Sequence, residues 1–244
     1  MTMTVKLRAL LLIYYFMCVS FGRSGCAIGL DGSTECTIPS VVLNTMNNVV
    51  IRGSITEKTA DAFLYDFFLK APKYVFITSN GGSVSAGSRI VSQILTRNVT
   101  CIAERAYSMA FVILQACSTR WVTPSGSLMQ HQMSLGVKGN LMNMNNYMVM
   151  VNAVERYMNE MQAKRLGMSV EAFVSRIATD WWLFGNDITD NNAADGFATV
   201  ECTRDLLKKN TTHTTTSFWG QDIHETYSRG HFKMGHPDLR NKNT

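Results

Sequence analysis

The sequence predicts an α/β domain of repeated strand and helix crossover units, and three observations predict it. After residue 46, short apolar runs alternate with amphipathic stretches, as parallel strands joined by crossing helices do. A double glycine, Gly81-Gly82, falls where one apolar run passes into a helical pattern. A helical pattern over about 140–166 is much longer than any crossover and stops at Gly167. At 244 residues the chain suits one packed core with appendages rather than two domains. With 46% apolar and 17% charged residues it is not a disordered chain. The formal charge of +5 is scattered apart from Lys208-Lys209, so no nucleic-acid partner is expected.

The chain opens with Lys6 and Arg8, an apolar run over 9–19, and then the small residues Ser20, Gly22, Ser24 and Gly25. That order reads as an export signal over 1–25, the run being short for a bilayer span; an uncleaved anchor and a buried helix are the alternatives. Export to a periplasm, a lumen or the outside is therefore expected. Of the six cysteines Cys18 lies in this signal, and in an oxidising compartment four of the other five could pair. Cys26 and Cys36 flank a short loop, while the pairing of Cys101, Cys117 and Cys202 stays open. Asn98-Val99-Thr100 and Asn210-Thr211-Thr212 are glycosylation patterns, meaningful only in a eukaryotic host.

A segment over 26–46 precedes the main domain, 47–205. Val49 to Ile51 reads as a strand, and 59–70 as a helix capped by Thr59. A strand at 74–77 leads into Ser79-Asn80-Gly81-Gly82, and a helix follows with Ile90, Val91, Ile94 and Leu95 as its buried stripe. A strand at 101–103, a helix at 108–117, and two strands at 120–123 and 127–132 come next. The helix over 140–166 carries Met142, Met144, Met148, Met150, Met158 and Met161, read chiefly as core fillers and otherwise as a subunit contact. Short helices at 170–177 and 191–194 and a strand at 197–200 close the domain. Residues 206–244 read as a polar tail holding His213, His224, His231 and His236 at spacings that match no compact metal site.

Three residues carry candidate chemistry, and each has a plain alternative. Ser108 could cap a helix, His131 could be a satisfied core histidine, and Asp180 could be a solvated turn residue. Their setting favours chemistry. A serine at a strand-to-helix turn holds its hydroxyl at the sheet edge, with the next backbone N–H groups pointing the same way, as a nucleophile with an oxyanion hole requires. The double glycine of the neighbouring unit brings a second bare backbone to the same end of the sheet, where open α/β sheets place their sites.

These segments resemble those of Clp protease proteolytic subunits. Asn80-Gly81-Gly82-Ser83-Val84-Ser85-Ala86-Gly87 is similar to the family's oxyanion segment, Ala106-Tyr107-Ser108-Met109-Ala110 to its nucleophile segment, and Leu128-Met129-Gln130-His131-Gln132 to its histidine segment. The loop over 136–139 with the long helix resembles the family's handle, the interval from His131 to Asp180 matches that to its acid, and Ala194-Asp195-Gly196 resembles its closing segment. The resemblance spans about 47–202 and implies a ClpP/crotonase-like α/β fold with a protruding handle helix.

It also implies a serine endopeptidase needing neither cofactor nor metal. Ser108 would attack the peptide carbonyl, His131 would carry the proton, Asp180 would orient the imidazole, and the N–H groups of Gly82 and Met109 would hold the oxyanion. Peptides or unfolded proteins would be substrates and further copies of the chain its partners. Two departures modify this. Ala178-Thr179 stands where many members carry an acid and an arginine that couple stacked rings, so ring stacking is not expected. An exported chain is separated from cytosolic Clp-type ATPases, so no ATPase partner is expected. The competing readings are a signal-peptide-peptidase-like protease with a lysine base, an acyl-CoA hydratase relative, and a catalytically silent assembly subunit.

Overall fold

The computed structural model describes residues 25–28, 34–134, 140–207, 210–216 and 222–228, with side chains for 38–134 and 140–206. Nearly all of the expected signal, the loop over 136–139, and His231 and His236 lie outside the described residues.

Six strands form the central sheet. β4 (Asn48–Arg52), β5 (Tyr74–Ser79), β6 (Thr100–Tyr107) and β7 (Thr119–Gln130) run parallel in that order, β8 (Trp181–Phe184) is antiparallel to β7, and the two-residue β9 (Gly196–Phe197) joins the first half of β7. The crossovers are α1 (Glu57–Lys70), α2 (Val84–Ile94) and α3 (Met109–Ala116). The strand interiors alternate between two hydrophobic clusters, as pleating requires. Val75, Ile77, Cys101 and Ala103 face the helices, with Phe63, Phe67, Ile90 and Phe111 packed on them. Phe76 and Ile102 point the other way, onto Val41, Leu43, Ala198 and Leu206.

The second face is closed by β3 (Ser40–Leu43), paired in parallel with β10 (Thr199–Cys202), and by α7 (Arg204–Leu207). Ser40 to Leu43 thus belongs to the packed body although it precedes residue 47. Ahead of it, β1 (Gly25–Ile28) and β2 (Thr34–Thr37) form a hairpin whose register sets Cys26 opposite Cys36. Beyond α7 the polar tail forms a second hairpin, β11 (Asn210–Thr216) with β12 (Asp222–Ser228).

Several local expectations are corrected. Thr56, not Thr59, caps α1, its side chain accepting from the Thr59 N–H at 3.2 Å, while Thr59 Oγ1 donates to the Ser54 carbonyl. The two strands expected at 120–123 and 127–132 are one strand, β7. Its register against β6 slips between Val122 and Ser127, so Pro124, which has no N–H to give the ladder, sits in the irregular stretch. Gly126 lies within that stretch, where a Cβ would come within 2.5 Å of Val122 Cγ1 and 3.0 Å of two carbonyl oxygens of β6.

The last small helix is α6 (Asn186–Asp190), ending before the expected 191–194. Asn192 takes a left-handed φ of 53° and the Ala193 N–H returns to the Ile188 carbonyl, which stops the helix. Ala193 and Ala194 owe their apolar character to burial instead. The strand expected at 197–200 is divided between β9 and β10, which pair with different partners. β8 was not expected, because a four-residue apolar run shows no decisive period.

The long helix, α4 (Leu141–Leu166), is capped by Asn140 and stopped by Gly167 at φ 71°. Met158 is buried and Met161 packs at the core edge, so core filling describes these two. Leu141, Met142, Val149 and Met150 are more than half exposed. α5 (Val170–Arg176) then returns the chain to β8. No helix among the described residues is long and apolar enough to cross a membrane.

Two devices lock the far end of the sheet. Cys101 and Cys117 form a disulfide with Cα atoms 5.8 Å apart, closing the loop that contains β6, Ser108 and α3. Arg120, 2% exposed, donates to Asp195 Oδ1 at 2.5 Å, Gln115 Oε1 at 2.6 Å and the Asn192 carbonyl at 3.0 Å. It thereby ties α3, β7 and the turn before β9. Burial pushes the Asp195 carboxyl up, but the Arg120 hydrogen bond and charge outweigh it and hold it below its ordinary value.

Asp195→Ala leaves a buried guanidinium without its counter-ion and is expected to cost about 3–5 kcal/mol in urea unfolding. Because the folded carboxyl titrates below the unfolded one, its contribution is present above the unfolded pKa and is lost as pH falls through the folded value. Asp195→Asn should therefore flatten the acid limb of the stability profile, and an unchanged limb would contradict this account.

Candidate active site

Ser108 joins β6 to α3 at φ 54° and ψ −122°, a region L-residues avoid. The turn is held by the Ser108 N–H, which donates to the Met129 carbonyl of β7 at 2.9 Å, and by the Ser108 carbonyl, which accepts from Phe111 at 2.9 Å. Its hydroxyl makes no capping bond, so the plain reading of Ser108 as a helix cap is removed. Ser83 shows the contrast, since its hydroxyl oxygen accepts from the Ala86 N–H at the head of α2.

The double glycine lies against this turn. A Cβ on Gly81 would stand 2.6 Å from the Tyr107 carbonyl oxygen and 2.8 Å from Ser108 Cβ. On Gly82, at φ 146°, it would overlap the Ile55 carbonyl oxygen at 2.3 Å. Ile55 fixes the loop from its other side, donating to the Gly81 carbonyl and accepting from the Ser83 N–H, each at 2.8 Å. The N–H groups of Gly82 and Met109 have no hydrogen-bond partner among the described residues. Two unengaged donors therefore flank the Ser108 turn.

His131 follows the last residue of β7 and lines one cleft with Ser108 and Met109. It is half-buried, and its only hydrogen bond among the described residues is from its backbone N–H to Gln130 Oε1 at 3.3 Å. The imidazole is not a satisfied core group. Asp180 is exposed and is not among the residues lining the cleft. β7 and β8 pair Gln130 with Trp181, so His131 and Asp180 each lie one residue beyond that pair. The Gln132 N–H donates to the Ile177 carbonyl at 3.1 Å, keeping the two segments joined just past that point. Ser108, His131 and Met109 thus line one cleft, with Gly82 next to the Gly81 that abuts the Ser108 turn, while Asp180 lies outside that lining. No hydrogen bond links the three side chains among the described residues.

The other wall comes from α4; of the residues that form it, the sequence had drawn notice only to Met158, as a core filler. Glu155, Met158, Asn159 and Gln162 line the cleft on one helical face. Gln162 and Gln130 are buried and close on each other, Gln130 Nε2 donating to Gln162 Oε1 at 2.6 Å while Gln162 Nε2 donates to the Met158 carbonyl at 3.0 Å. The available signal was the i, i+3, i+4, i+7 spacing of these four.

A family model described as Clp protease matches residues 32–195. The chain belongs to the Clp protease family. It is similar to ATP-dependent Clp protease proteolytic subunit 2 of Borreliella burgdorferi, 27% identical over 189 residues that cover 70% of this chain and 91% of that protein. It is also similar to the proteolytic subunit 2 of Pseudomonas aeruginosa, 24% identical over 148 residues, 57% of this chain and 74% of that protein. Family membership makes it a peptidase with the Clp protease α/β fold, as its sequence motifs implied.

The Ser108 backbone yields a separable prediction. A residue held at such φ and ψ costs on the order of 1–3 kcal/mol, which glycine avoids. Ser108→Gly should therefore raise the unfolding free energy by about 1 kcal/mol over Ser108→Ala. Equal stability of the two variants would show that the turn is unstrained.

Proposed function

We propose that the protein is a serine endopeptidase in which Ser108 is the nucleophile, His131 the proton carrier and Asp180 the group that orients the imidazole. The observation that carries this is the unengaged Ser108 hydroxyl at a strained strand-to-helix turn, packed on the glycine turn and sharing a cleft with His131. A neutral serine needs a base within hydrogen-bond reach, and the half-buried imidazole is the titratable ring that lines the same cleft. His131 would take the hydroxyl proton as Ser108 Oγ bonds to the carbonyl carbon, then return it to the leaving amine. The N–H groups of Gly82 and Met109 would receive the developing oxyanion, each worth roughly a hundredfold or more in rate. For Asp180 to act, its carboxylate must reach the imidazole from one residue beyond the Gln130–Trp181 pair.

The protein is further proposed to be exported, to act without an ATPase on peptides or unfolded chains, and to assemble with copies of itself. The signal-like residues 1–25 and the buried Cys101–Cys117 disulfide support an oxidising compartment. Exposed Leu141, Met142 and Val149 on α4 support self-association. Side chains of Ser108, His131 and Asp180 that share no hydrogen bond are also what a silent assembly subunit would have, so activity decides between the two.

A fluorophosphonate probe should label Ser108 of the folded protein, Ser108→Ala should abolish labelling, and His131→Ala should slow it by about a thousandfold. Labelling that persists in Ser108→Ala, or none in the wild type, would remove the assignment. The protein recovered from an exporting host should begin after residue 20; a retained Met1 in the cytosol would defeat the export proposal.

A further inference from the structure

The cleft beside Ser108 is built unevenly. Its inner end is closed by the Gln130 and Gln162 amides, Gln130 Nε2 donating to Gln162 Oε1, and its flanks are Met109, Val112 and Met158. The buried face of α4 then rises through Asn159 to Glu155, which is half-buried. Among the described lining residues Glu155 is the only carboxylate, and no lysine or arginine is present. The Glu155 side chain makes no hydrogen bond or ion pair with any described residue. Its neighbour in sequence, Arg156, is exposed and does not line the cleft.

We propose that Glu155 is the specificity residue of this cleft and selects substrates with a lysine or arginine side chain on the residue that supplies the scissile carbonyl. The inference rests on the serine peptidase reading, which fixes where that carbonyl sits. With Ser108 Oγ attacking and the Gly82 and Met109 N–H groups holding the oxygen, the carbonyl lies over the first turn of α3. Met109 and Val112 of that turn line the cleft, so the adjoining side chain enters it. A long cationic side chain suits both surfaces: its methylene stem lies along Met109, Val112 and Met158, and its charged head reaches the half-buried Glu155. An aliphatic side chain would use the flanks and leave Glu155 without a partner. An acidic one would meet like charge in a region of reduced dielectric. A charge contact of this kind discriminates by roughly tenfold or more.

The test compares two peptidyl diphenyl phosphonates that differ only in this side chain, one arginine and one leucine. In each, the Ser108 Oγ–P bond forms as a phenoxide leaves phosphorus and departs as phenol with the serine proton. Modification of Ser108 is followed by mass spectrometry. The arginine probe should react at least tenfold faster in the wild type, Glu155→Gln should bring the ratio near one, and Glu155→Lys should invert it. The wild-type ratio is decisive even where a variant does not fold. A leucine probe that reacts as fast or faster, or a ratio that survives Glu155→Gln, overturns the assignment of Glu155. Failure of the small fluorophosphonate to label Ser108 overturns the peptidase reading instead, so the two failures are told apart.

Discussion

The arrangement of the site depends on one close backbone approach, that of the Gly81 turn to the Ser108 turn. With less than 3 Å between a notional Gly81 side chain and the atoms of Tyr107 and Ser108, the ends of β5 and β6 meet without space for any Cβ. Beside that contact the Ser108 hydroxyl makes no capping bond and the N–H groups of Gly82 and Met109 have no partner among the described residues. Each turn is buttressed by a strand or loop outside its own crossover unit, Ser108 by Met129 of β7 and Gly81 by Ile55. The strain at Ser108 is tolerated because these surrounding hydrogen bonds over-determine its conformation.

The rest of the fold keeps that approach in register from the opposite end of the strands. The Cys101–Cys117 disulfide closes the strand, turn and helix carrying Ser108 into a covalent ring, and Arg120 clamps the end of α3 to β7 and to the Asp195 turn. Arg165 of α4 donates to the Cys117 carbonyl at 2.7 Å, so the inner end of the long helix is fixed to the same corner. From there α4 runs past the cleft as its wall and continues outward with apolar side chains uncovered.

Much of this was legible in the chain. Gly81-Gly82 and Ser108 stand at strand ends because a period of two gives way there to a helical period, and local patterning of that kind needs no knowledge of distant residues. The same rule failed where a partner decides. β7 reads as two strands because Pro124 and Gly126 interrupt its pattern, yet Pro124 sits in a stretch where the ladder slips and Gly126 fits closely against β6. β3 and β10 became strands by pairing with each other across most of the chain length. Thr56 and Thr59 are chemically alike as caps, and only the path of the preceding loop distinguishes them.

The sequence by itself determined the crossover order, the positions of Ser108 and His131 at strand ends, and the family, because these follow from short-range periodicity and from motifs in sequence order. Tertiary structure decided that Cys101 pairs with Cys117, that Arg120 is neutralised by Asp195, and that Glu155 and Gln162 line the cleft. Each of those is a meeting of side chains brought together by sheet register and helix packing, and a charge or a thiol carries no mark in sequence of which partner the fold will bring within reach.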